Sequence, residues 1–167
     1  MFSADGPPGY KRWLILGACV VVLTLGRTAH ATGFSGLVVS VLDGDTIEVL
    51  HNTRPERVRL SGIDRPENGQ AFGSRAKQAA SALVCGKDVI LQTHGQDKYR
   101  RTLGDVFLLD GTHVNHELVK GGWCWWFRKY APEDTVLEGL EQKAREAKQG
   151  LWADPAPVPP WEWRKRR

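Results

Sequence analysis

The sequence predicts an α+β fold, a small barrel of five β-strands carrying about three helices. Three observations predict it. Strand-like apolar stretches separated by turn residues run from Gly36 to Ile63. The apolar period then changes to helical spacing between Gln70 and Val84. Two further strand-like stretches and two further helical ones follow. In order, 36–42 reads as the first strand, Asp43-Gly44-Asp45 as a turn, and 46–50 as the return strand. Residues 57–63 read as the third strand. Side chains alternate along a strand, which puts Arg57 and Arg59 on one face and Val58 and Leu60 on the other. Phe72, Ala76, Ala79, Ala80, Leu83 and Val84 make the helical stripe, with Gly86 as its stop. Residues 89–91 and 103–109 read as the last two strands, Asp110-Gly111 as a second hairpin turn, and 114–120 as a short helix. Pro132 opens the last helix, striped by Val136, Leu140, Ala144 and Ala147 and closed by Gly150. An OB-type barrel fits this order, and a mixed α+β sandwich is the alternative. Residues 154–167 differ: four prolines, two tryptophans and Arg164-Lys165-Arg166-Arg167 read as an extended basic tail, lying on the domain or projecting from it.

Residues 1–31 read as an export signal. Lys11 and Arg12 supply positive charge, residues 13–26 form an apolar run of 14, and Ala29-His30-Ala31 fits a cleavage site with the cut after Ala31. A membrane span needs roughly 20 residues, so the run is short for one, and an uncleaved membrane anchor is the alternative. Leu16-Gly17-Ala18-Cys19 loosely resembles a lipoprotein box, but the apolar run continues past Cys19. The expected organisation is a signal peptide at 1–31, a domain at 32–153 and a tail at 154–167, with a periplasmic or secreted location. The chain of 167 residues carries a formal +4, and the mature part +2, from 20 basic residues against 18 acidic. That balance permits a polyanionic partner without identifying one. Cys85 and Cys124 remain after cleavage, either as a disulfide or as two free thiols.

The chemistry-bearing residues are acids and arginines. Asp43, Asp45, Asp64 and Glu67 fall near strand ends, with Arg57, Arg59, Arg65, Arg100 and Arg101 close in sequence. Such a set suits phosphodiester hydrolysis. Carboxylates hold a hard divalent cation through oxygen, and the cation polarises the phosphate and orients a water. A further carboxylate accepts the proton of that water. Guanidinium groups match phosphate geometry and stabilise transition-state charge. Asp-Gly-Asp-Thr is also ordinary hairpin chemistry when taken alone.

The segments Val41-Leu42-Asp43-Gly44-Asp45-Thr46, Val58-Arg59-Leu60-Ser61-Gly62-Ile63-Asp64-Arg65-Pro66-Glu67 and Asp97-Lys98-Tyr99-Arg100-Arg101 together resemble the three signature segments of the staphylococcal nuclease (thermonuclease) family, in order and in spacing. The resemblance spans roughly residues 36–152 and is to an exported bacterial member. It implies an OB-fold barrel with helices and cleavage of DNA and RNA that depends on calcium or another hard divalent cation. By the same resemblance, Asp45 and Asp64 are metal-ligating carboxylates, the main-chain carbonyl of Arg65 is a third ligand, and Asp43 is a supporting acid nearby. Glu67 is the general base or orients the attacking water, and Arg59 and Arg101 clamp the phosphate. Lys98, Tyr99 and Tyr130 line the nucleotide pocket. The chain is expected to act as a monomer without a stable protein partner. It departs from the family pattern at three places. Arg65 stands where threonine or alanine is common, and Arg100 replaces a glycine, leaving open which of Arg100 and Arg101 faces the site. Arg128 falls where the type member has a tyrosine.

Trp123, Trp125, Trp126 and Phe127 suit base stacking or core filling, and core filling is the expectation for most of them. His51, His94, His113 and His116 lack zinc-ligand spacing. Three functions fit: an active nuclease, a non-catalytic nucleic-acid- or protein-binding module on the same barrel, and a calcium-binding structural domain. The full set of acids and arginines favours the first.

Overall fold

The computed structural model describes residues 33–166. The expected export signal, with Cys19 and the cut after Ala31, lies outside the described residues. The chain runs β1 (Gly33–Asp43), β2 (Thr46–His51), β3 (Arg54–Leu60), β4 (Ile63–Asp64), α1 (Gly73–Val84), β5 (Asp88–Gln96), β6 (Thr102–Leu108), α2 (Val114–Lys120), β7 (Trp125–Trp126), α3 (Thr135–Glu146) and α4 (Pro160–Trp163).

β1, β2 and β3 form an antiparallel meander, with Val38 opposite Val49 and Thr46 opposite Arg59. β5 and β6 form an antiparallel hairpin. β6 runs parallel to β3, and β5 pairs antiparallel with β1. These pairings close a barrel in the order β1-β2-β3-β6-β5. It is the five-stranded barrel with helices that the sequence predicts. Val38, Ile47, Val49, Val58, Leu60, Val89, Leu91 and Val106 fill it, and α1 and α2 cover it with Ala80, Val84, Val114, Leu118 and Val119. The alternation expected in β3 holds, since Val58 and Leu60 are buried while Arg57 and Arg59 are not in the core. A second cluster joins Trp125, Ala144, Leu151 and Trp152, with Phe72 and Trp161 packed against it.

The structure differs from the sequence expectation at four boundaries. The third strand does not continue to Ile63. It stops at Leu60, and Gly62, at φ 70°, turns the chain out of the barrel. Ile63 and Asp64 then pair with Trp126 and Trp125 in a separate two-stranded sheet. Asp110-Gly111 does turn the chain, but no strand follows it. Beyond a bridge between Phe107 and His113, the chain enters α2. The last helix starts at Thr135 rather than Pro132, because the Asp134 carboxylate caps it by accepting from the Leu137 N–H at 2.9 Å. The tail is not extended throughout. Pro159 and Pro160 lead into the four-residue α4, followed by a 3₁₀ turn at Arg164–Arg166. Cys85 is exposed and Cys124 buried, and both are free thiols.

Two glycines press the acidic loops against α1. A Cβ at Gly44 would stand 2.9 Å from the Ala76 Cβ, and one at Gly73 would stand 2.4 Å from the Glu67 carbonyl oxygen. Only glycine admits either approach, so the 43–45 turn and the loop carrying Glu67 share one helix as their floor.

Candidate active site

The register of β2 against β3 sets the Asp43-Gly44-Asp45 turn beside Arg59. Asp45 is 4% exposed and Asp64 3%. Asp45 Oδ2 accepts from the Arg65 backbone N–H at 3.0 Å, and its Oδ1 accepts from the Thr46 hydroxyl at 3.1 Å. Arg59 stands between the two acids, with Nη1 3.0 Å from Asp45 Oδ2 and Nη2 3.3 Å from Asp64 Oδ1. Burial pushes the Asp45 carboxyl up to about 7, with the Arg59 charge pulling against it. The Arg65 side chain ties its own loop to the end of β1: it donates to the Pro66 carbonyl at 2.7 Å and to Asp43 at 3.2 Å, and lies 3.7 Å from Glu67. It therefore holds the loop rather than reaching for a ligand in the cleft.

The loop joining β5 to β6 is folded by Asp97. Its Oδ1 accepts from the N–H groups of Tyr99 at 2.9 Å and Arg101 at 3.0 Å, and its Oδ2 accepts from Arg101 Nε at 2.8 Å. Against the upward push of partial burial, these bonds hold the Asp97 carboxyl below its usual range. Of Arg100 and Arg101, Arg101 is the one that lines the cleft. Arg100 sits at φ 64°, in the left-handed region where glycine is at ease.

The opposite wall comes from the chain after β7. Trp125 and Trp126 are buried, as core filling requires, while Phe127 lines the cleft edge-on to Tyr130, which is 69% exposed. Arg128, at the tyrosine position of the type member, lies over the Trp126 ring at 4.7 Å. The cleft has a volume of about 1510 Å³. All ten residues expected at the site line it: Asp43, Asp45, Arg59, Asp64, Arg65, Glu67, Lys98, Tyr99, Arg101 and Tyr130.

The sequence reading missed Asp97 as an organiser, and it missed the C-terminal segment. Trp161 stacks on Phe127 with rings 2° from parallel, and Arg164 reaches Asp64 and Glu67. The Asx geometry of Asp97-Lys98-Tyr99 was a usable signal for the first. Nothing local marks the second, since its partners lie about a hundred residues away in sequence.

Among the described residues, no three His, Cys, Asp or Glu side chains converge as a ready metal cluster. The donor set nonetheless fits a hard cation. Asp45, in the turn before β2, and Asp64, in β4, offer buried carboxylate oxygens, now engaged by guanidinium, N–H and hydroxyl donors. Calcium completes its shell with carbonyls and water where carboxylates are few.

A closed barrel whose cleft sets buried acids beside arginines is equipped for phosphodiester chemistry. Residues 57–154 match the family described as "Staphylococcal nuclease homologue". The chain is similar to an "Uncharacterized endonuclease" of Escherichia coli O157:H7, 45% identical over 79% of this chain and 86% of that protein. It is similar to a "Micrococcal nuclease" of Shigella flexneri, 42% identical over 89% and 90%. It is also similar to an "Uncharacterized endonuclease" of Haemophilus influenzae, 34% identical over 93% and 87%. The chain belongs to the staphylococcal nuclease family, and it is an enzyme of the nuclease class.

Proposed function

We propose that this cleft hydrolyses phosphodiester bonds of DNA and RNA with calcium, or another hard divalent cation, as its cofactor. The observation that carries the reading is the convergence of Asp45, Asp64, Glu67, Arg59 and Arg101 on one cleft. Asp45 and Asp64 would hold the cation, with the Arg65 carbonyl beside them and Asp43 steadying Arg65 from behind. The cation, when bound, supplies positive charge to a phosphate oxygen. Glu67, on the cleft wall, accepts the proton of the attacking water or orients it. Arg59 and Arg101 would clamp the phosphate and stabilise the charge that builds as the bond to the leaving oxygen breaks. Arg59 would be released for this task with the cation in place, since both of its ion-pair partners are the proposed ligands. Tyr99, Lys98 and Tyr130 supply ring and charge along the strand. Export through residues 1–31 is part of the proposal and is consistent with nucleic acid met outside the cytoplasm.

Purified residues 32–167 are expected to cleave single-stranded DNA and RNA with calcium and to stop in excess chelator. Glu67→Ala is expected to lower turnover by a factor on the order of 10² or more, with circular dichroism unchanged. No cleavage in either condition would sink the enzyme mechanism. Chelator-resistant cleavage would sink the cation.

A further inference from the structure

The ion pairs between the C-terminal arm and the acidic loops place a guanidinium on the cleft carboxylates. Arg164 Nη2 lies 2.7 Å from Asp64 Oδ2, and Arg164 Nη1 lies 2.6 Å from Glu67 Oε1. One side chain thus bridges a proposed cation ligand and the proposed proton acceptor. With Arg59 on the other oxygen of Asp64, no oxygen of that carboxylate is left without a cationic partner.

The arm is held there by contacts that do not involve the ion pairs. Pro160 is buried. Trp161 stacks on Phe127 with ring centroids 5.3 Å apart and meets Trp125 edge-on at 5.7 Å. The Val158 carbonyl accepts from Gln70 Nε2 at 2.5 Å. The aromatic anchor therefore delivers Arg164 to the acids whether or not the charges attract. A positive group seated on a cation ligand opposes a second positive group there by linkage: whatever favours the cation-free state lowers cation affinity.

We propose that Arg164 is a tethered stand-in for the cation. Its guanidinium holds Asp64 and Glu67 together in the cation-free enzyme and yields Asp64 when the cation binds, so the C-terminal arm sets the cation affinity of the site. The inference rests on the reading of Asp64 as a cation ligand. The ligand it concerns is a hard divalent cation with oxygen preference, and the segment that tunes it lies outside the three signature segments.

The test is calorimetric titration of calcium alone, without nucleic acid, into the protein and three variants. Arg164→Gln is expected to bind calcium roughly three- to fivefold more tightly than the parent, the upper part of the range for losing a partly exposed ion pair. Trp161→Ala, which loosens the arm and leaves every acid in place, is expected to tighten binding in the same direction. Lys165→Gln, a neighbouring charge lost without the two contacts, is expected to stay within about twofold. Equal affinity in the parent, Arg164→Gln and Trp161→Ala overturns the inference while leaving the cation site intact. Weaker binding in Arg164→Gln overturns it as well, and marks Arg164 as a support of the site. No calcium binding in any form overturns the inference and the cation reading together. Binding by Arg164→Gln alone supports both.

Discussion

Arg59 carries two jobs that conflict. It is the counter-ion of two buried carboxylates in the cation-free protein and the proposed phosphate clamp during the reaction. Removing one partner from a buried ion pair leaves an uncompensated charge, which costs about 3–5 kcal/mol. Arg59→Ala is therefore expected to lose about 3 kcal/mol or more in urea denaturation with chelator present, and calcium is expected to restore part of the loss. Arg101 is the contrast. Its side chain is a quarter exposed and its partner Asp97 lies on a loop, where such a pair is worth about 1 kcal/mol or less. Arg101→Ala is expected to stay near parental stability while losing a factor on the order of 10²–10³ in turnover. Equal stability losses in the two variants would contradict this division. At this scale the acids and arginines that line the cleft were legible, because they fall in segments of particular residue types in a set order. Asp97 and Arg164 were not. One works through backbone N–H groups, and the other through a contact made only by the folded chain.

Elements were legible wherever the apolar period was clean. β2, α1 and α2 fall close to where the sequence puts them. The end of β3 was overrun, although Ile63 falls out of phase with Val58 and Leu60 and Gly62, where the backbone turns away, marked the break. α2 depends on His113, whose Nδ1 accepts from the His116 N–H at 3.4 Å and whose ring stacks on that of His116 at 3.6 Å. Burial, then the neighbouring His116, holds the His113 pKa below its usual value. A folded-state pKa below the unfolded one gives stability that is present above about 6.5, the unfolded value, and lost as pH falls through the folded value. The melting temperature is expected to fall between pH 7 and pH 5, and to fall less in His113→Asn, which keeps a capping acceptor that does not titrate. Parallel melting curves against pH for the two proteins would refute the role of His113.

At the scale of the whole molecule, the cleft is a meeting place of segments that are distant along the chain. Glu141, 3% exposed, is one of the ties. It accepts from the Trp126 N–H at 3.1 Å and pairs with Arg145 Nη2 at 3.1 Å, joining α3 to β7 and, through the pairing of β7 with β4, to Asp64. Glu141→Ala leaves that N–H buried without an acceptor and is expected to cost about 1–3 kcal/mol, with calcium affinity lowered as Asp64 loosens. Unchanged stability and unchanged affinity would show the tie to be idle. None of these long-range joints had a local signal in the sequence. The barrel was inferred from the count and order of its strands, not from their pairing.

The parallel pairing of β3 with β6 has a consequence for how the protein is made. Two edges, on β1 and on β3, stay open until β5 and β6 have been synthesised, because only the second hairpin closes both. Non-local strand pairing of this kind slows folding, since a long loop is ordered before its contacts form. Until Thr102, Leu103 and Gly104 reach Val58, Arg59 and Leu60, β3 presents an unpaired backbone edge, the surface on which chains join edge to edge. The first residues of β6 are thus where an open meander becomes a closed barrel.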